Sequence, residues 1–99
     1  MLLVHSDPFR RDELAQALRT FGFTVTAVRC VAEVEEWPYG DIVITEARFF
    51  SQFWLDVGAA HVLVLGDVTQ PAEAPVTVVP TFYTSTRIVA MVVALSGRR

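Results

Sequence analysis

The sequence predicts an α/β domain built on a parallel sheet, and three observations carry that reading. Short apolar runs recur along the chain at Leu2–Val4, Ile42–Thr45, Val62–Leu65 and Val76–Val79. Segments with helical spacing stand between several of them. Asp-Pro, Pro-Tyr-Gly and single glycines punctuate the junctions. Strands that are apolar throughout belong to a sheet covered on both faces, and parallel strands need crossover segments to join them.

The elements follow in order. Leu2-Leu3-Val4 reads as a buried strand that stops at His5-Ser6-Asp7-Pro8. Asp7 suits a helix cap, and Pro8 suits the first helical position. Leu14, Ala17, Leu18 and Phe21 recur at i, i+3, i+4 and i+7, one face of a helix that Gly22 stops. Phe23–Val28 alternates apolar residues with Thr24 and Thr26, as a strand does. Val31–Trp37 reads as a short helix broken by Pro38-Tyr39-Gly40. Ile42–Thr45 is a buried strand. Phe53, Trp54 and Val57 give one or two helical turns, closed by Gly58. Val62–Leu65 and Val76–Val79 are the last strands. The final helix follows Pro80, with Ile88, Met91, Val92 and Leu95 at i, i+3, i+4 and i+7, Val89 and Val93 widening the stripe, and Gly97 ending it. The stretch from Gly66 to Pro75 has two prolines and no helical period, so a loop is expected there and the fourth crossover helix is expected to be missing.

Ninety-nine residues make a single domain, 1–99, and 53% hydrophobic residues suffice for a core. The mean hydropathy of +0.42 leaves some apolar groups exposed or covered by a partner. A net charge of −3 and a pI of about 5.2 argue against a nucleic-acid binder. Arg10, Arg11 and Arg19 read as a solvated helix face, and Arg98 and Arg99 as a polar end. The single cysteine, Cys30, can form no internal disulfide and reads as a spectator. No signal peptide is visible at Met1–Val4, so none is expected, and the longest apolar run, Ile88–Leu95, is too short to span a bilayer. A cytoplasmic location and no membrane contact are expected.

Leu2-Leu3-Val4 with Asp7-Pro8 and Arg10, then Asp41–Glu46, then Val62–Leu65, then Val79-Pro80, resemble the response-regulator receiver domain over essentially the whole chain. The resemblance implies a flavodoxin-like, three-layer α/β/α fold with a five-stranded sheet in the order 2-1-3-4-5. The site then lies at the carboxyl ends of the strands. Residue by residue, the family's working positions are altered. The acidic pair that holds Mg²⁺ falls on His5 and Ser6, the phosphate-accepting aspartate on Glu46, the hydroxyl residue after the fourth strand on Gly66, and the lysine of the fifth strand on Val79. The bond before Pro80 is expected to be cis by the same resemblance. Mg²⁺ wants hard oxygen ligands and phosphoryl transfer wants a cation, so this set points away from phosphotransfer. No enzyme activity, cofactor or metal is expected.

Two further groups of residues stand out. His5, Asp7, Glu46 and Asp67 converge on one sheet edge and offer an alternative, an atypical metal- or small-ligand-binding switch. Ordinary turn and cap roles account for most of them. Phe49, Phe50, Phe53 and Trp54, with Phe82, Tyr83, Val89 and Val93, are either core fillers or bulky anchors of an interface. The reading that follows is a degenerate receiver that binds a protein partner of unknown identity and pairs with itself. A purely structural dimerisation domain of a larger regulator is the other alternative. There is no G-x-G-x-x-G, P-loop or G-x-S-x-G motif to suggest another chemistry.

Overall fold

Strands form where the apolar runs stand. A computed structural model describes residues 1–35, 41–49, 61–66, 76–79 and 83–96, and every structural statement below concerns these. The strands are β1 (Leu2–Val4), β2 (Thr26–Val28), β3 (Ile42–Glu46), β4 (His61–Leu65) and β5 (Val76–Val79). All pairings are parallel, and the order is β2-β1-β3-β4-β5. This is the flavodoxin-like arrangement. The order reverses direction at β1, so a crevice opens between the carboxyl ends of β1 and β3.

The sheet has a core on each side, as alternating side chains require. Leu3, Ile44, Leu63, Leu65 and Val79 face the two long helices, α1 (Pro8–Phe21) and α2 (Ser85–Ser96), and meet Leu14, Leu18, Ile88 and Val92. Leu2, Val4, Val43, Val62, Val64 and Val76 face the other way and meet Phe49, with Val31, Val34 and Cys30 packed alongside. Burying a leucine or isoleucine fully is worth about 1.5–3 kcal/mol, so these paired layers hold the sheet together.

The ends of α1 form as the residue types dictate. Asp7 Oδ1 accepts from the Phe9 and Arg10 amides at 2.9 and 3.4 Å, and Pro8 opens the helix. At the other end Gly22 has φ +115°. Its amide donates to Arg19 O at 3.0 Å, while the Phe23 amide donates to Leu18 O at 3.1 Å. That pair of bonds is a Schellman ending, and only glycine reaches its backbone conformation without strain.

Four expectations need correction. The strand expected over Phe23–Val28 covers only Thr26–Val28, because the Phe23 amide closes α1 and Val25 O accepts from Arg19. In place of a helix beginning at Val31 there is a single 3-10 turn, Val31–Glu33, after which Val34 is extended. Phe21, expected on the buried face of α1, is 51% exposed and stacks on Phe23 with ring centroids 5.7 Å apart, while Ala15 is buried instead. On α2, Ile88 and Val92 are buried and Leu95 stands 36% exposed, so the apolar stripe leaves the core in the last turn. The expected helical turns at Phe53–Val57, the loop replacing a fourth crossover helix, and the cis bond at Pro80 lie outside the described residues. Among the described residues no helix is long and apolar enough to cross a membrane.

Candidate functional site

The site grows from the end of β1. His5 continues the ladder, its amide donating to Val28 O at 3.0 Å, and the turn into α1 keeps its ring buried. The Asp7 amide donates to His5 Nδ1 at 3.1 Å. An amide can only donate, so Nδ1 carries the lone pair and the ring proton of neutral His5 sits on Nε2. Nε2 faces the Tyr83 hydroxyl at 3.4 Å. Burial pushes the His5 pKa down, the carboxylates of Glu46 and Asp7 push it up by less, and the guanidinium groups of Arg10 and Arg11 add to the lowering. His5 is therefore neutral at pH 7, and its Nδ1 lone pair is already engaged.

Glu46 ends β3 beside it. The Ser6 amide donates to Glu46 Oε1 at 2.5 Å, and His5 Nδ1 stands 3.7 Å from the same oxygen. With a neutral ring that approach is not an ion pair. Arg48 Nη1 donates to Ser6 Oγ at 3.3 Å, and Arg11 Nη1 donates to His5 O at 3.1 Å. The β1–α1 turn is thus tied down from α1 and from the segment after β3.

Gly66 follows β4 with φ +109°, and its amide donates to Val79 O at 2.8 Å. Among the described residues a Cβ there would meet only Ala47 Cβ, at 3.6 Å, and the backbone conformation is what favours glycine. Val79 is fully buried in the helix-side core with Leu65 and Ile88. Apolar packing occupies the position where the family resemblance would put a lysine.

His5, Asp7, Glu46 and Gly66 line one cleft of about 280 Å³, together with Arg10, Leu65 and Tyr83. Of His5, Asp7, Glu46 and Asp67, the four residues the sequence brings to one edge, the fold places His5, Asp7 and Glu46 together, and Gly66 joins them. Asp67, Pro80, Phe50, Phe53, Trp54 and Phe82 lie outside the described residues. Phe49 is buried in the core opposite the helices. Val89 and Val93 are half-buried and line an apolar groove with Ala17, Thr20 and Phe21 of α1. Tyr83 is not a free anchor. Its ring lies under the Arg10 guanidinium, 5.1 Å from the centroid, and burial raises its phenol pKa against the effect of that cation. Arg10 and Arg48 were missed as site residues. Arg10 stands three residues after the capping aspartate and Arg48 two after Glu46, so spacing puts both backbones at this sheet end, while the resting place of the Arg10 guanidinium on Tyr83 depends on how the two helices meet.

The donor set does not suit Mg²⁺, the ion that the family resemblance implies. Mg²⁺ asks for several hard oxygens in octahedral geometry. Here one Glu46 oxygen accepts the Ser6 amide, Asp7 accepts the amides of α1, and an imidazole fills the space between them. Among the described residues no three His, Cys, Asp or Glu side chains group closely enough to hold a metal ion. No family model, curated protein or solved structure matches the chain.

Proposed function

We propose that this chain is a receiver-like module that acts by binding a protein, without phosphoryl transfer and without enzymatic activity. One observation carries the reading: the carboxylate of Glu46 is held by the Ser6 amide beside a neutral, buried imidazole, with a glycine lining the cleft and Val79 packed into the core where the resemblance would put a lysine. A phosphoryl group arriving there would need a divalent cation or a lysine to take up its charge, and a hydroxyl to read its presence. Among the described residues the one cation lining the cleft is Arg10, which comes from α1 and rests on the Tyr83 ring rather than reaching across from β5. Protein binding is supported by large apolar side chains left in solvent, Phe9 at 85% and Phe21 at 51% exposure. Self-association is the simplest form of such binding, and a reducing cytoplasm suits the free thiol of Cys30.

The test is a titration with Mg²⁺ and then beryllofluoride, read by amide NMR at Ser6, Glu46 and Gly66. The expected result is no saturable shift at any of the three. A saturable, Mg²⁺-dependent shift at Glu46 and Gly66 overturns the proposal. Sedimentation from low to high micromolar concentration checks self-association, and a mass that stays monomeric throughout removes the homodimer from it.

A further inference from the structure

A second cleft lies beside the first, and its chemistry is different. Arg10 of α1, with Tyr83, Thr84 and Arg87 at the start of α2, lines an open groove of about 280 Å³, with both arginines exposed to solvent. At about 30 Å³ per water, that is room for roughly nine waters, enough for a hydrated oxyanion group and below the size of a typical drug-sized pocket. Two guanidinium groups, on different helices, line it. Among the described residues neither has an ion-pair partner, although the chain carries more acidic than basic residues.

Each part of the lining favours a negative charge. Arg10 lies over the Tyr83 ring, 5.1 Å from its centroid, and its guanidinium makes no hydrogen bond to another described residue. Thr84 begins α2. Its Oγ1 accepts from the Arg87 amide at 3.2 Å, and its carbonyl accepts from the Ile88 amide at 3.1 Å. The Thr84 hydroxyl thus takes up the Arg87 amide, and the Arg87 side chain is what this end of α2 offers the cleft. The carboxylates close enough to affect Tyr83 are Glu46, Glu13 and Asp7. None of them lines this cleft.

We propose that Arg10 and Arg87 form a binding site for a doubly charged oxyanion, the phosphate of an inorganic ion or of a small phosphate monoester. Two guanidinium groups match two charges, and each presents paired N–H donors that suit phosphate oxygens. The site shares Arg10 and Tyr83 with the Glu46 cleft but takes Arg87 in place of the carboxylates, and it involves no transfer of the phosphoryl group.

The experiment is an NMR titration of the whole chain with three probes at constant ionic strength: inorganic phosphate, glycerol 3-phosphate and chloride. Saturable shifts of Thr84, Ser85 and Arg87 amides with inorganic phosphate support the site with a free ion as ligand. Saturation by glycerol 3-phosphate alone supports it with an ester as ligand. Shifts that chloride reproduces, or that never saturate, overturn it. Arg10→Gln and Arg87→Gln should each weaken phosphate binding at least tenfold. Arg87→Gln leaves the Arg10–Tyr83 contact in place, so it separates loss of the site from loss of local packing. Unchanged affinity in Arg87→Gln, with its amide spectrum otherwise intact, overturns the proposal.

Discussion

His5 shows how one residue can record a change of chemistry. An imidazole that is buried, neutral and bonded through Nδ1 to the Asp7 amide holds the β1–α1 turn as a structural acceptor. Protonation would replace that acceptor with a donor and break the bond. Burial lowers the pKa of His5 and of His61 below the ordinary value of 6.5. The unfolded chain therefore binds protons more readily than the folded one as pH falls through that value. The stability contributed by these two neutral rings is complete above about pH 6.5 and declines below it. Urea denaturation between pH 7.5 and about 5 should show the midpoint falling. His5→Asn keeps an acceptor near the position of Nδ1 and removes the titration, so its midpoint should fall less steeply over the same range, with His61 supplying what remains. An unchanged slope in His5→Asn would show that folding does not move the His5 pKa.

At the scale of elements, α1 and its two ends are the clearest case. Asp7→Ala removes the acceptor for the Phe9 and Arg10 amides and should cost about 1 kcal/mol in chemical denaturation. Gly22→Ala should cost about 1–2 kcal/mol, because φ +115° puts a Cβ against the following carbonyl. Equal stability in either variant would contradict the capping geometry. These ends were legible in the sequence because Asp-Pro and a terminal glycine act through local sterics and hydrogen bonds. The strands were legible because Leu2–Val4, Val62–Leu65 and Val76–Val79 can be buried on both faces only in the middle layer of such a fold. Phe23–Val25 misled because alternation of apolar and polar residues reports exposure, and it cannot tell a strand from a helix exit whose amide is bonded backwards to Leu18. Val31–Val34 misled for a related reason. Two valines three residues apart fit a helix, but they also fit one tight turn laid over a sheet.

Across the whole molecule, stability and binding should separate. Leu63 is fully buried in β4, next to the middle strand, so Leu63→Ala should lose about 2–5 kcal/mol. Phe9 stands at the surface, so Phe9→Ser should change stability by no more than about 0.5 kcal/mol while reducing self-association or partner binding. A large stability loss in Phe9→Ser would mean that the ring is packed in solution, and the apolar surface would shrink accordingly. The sheet edge that gathers His5, Asp7, Glu46 and Gly66 was foreseeable from topology, since all of them follow carboxyl ends of strands or begin α1. The positions of Arg10 and Tyr83 were not, because a stacked pair joining the starts of two helices depends on how α1 and α2 sit beside each other. Spacing along the chain carries no record of that.

The strand order has a consequence for how the molecule is made. β1 leaves the ribosome first, yet it lies between β2 and β3, and Leu3 pairs with both Ala27 and Ile44. Until residue 46 has emerged, the first strand has an open edge of unpaired amides and carbonyls along an apolar ribbon. A nascent chain halted before that point should be held by chaperones and cut readily by protease, whereas one halted beyond β5 should resist cutting. The feature that places His5 at the crevice therefore also makes β1, of the five strands, wait longest for its second neighbour.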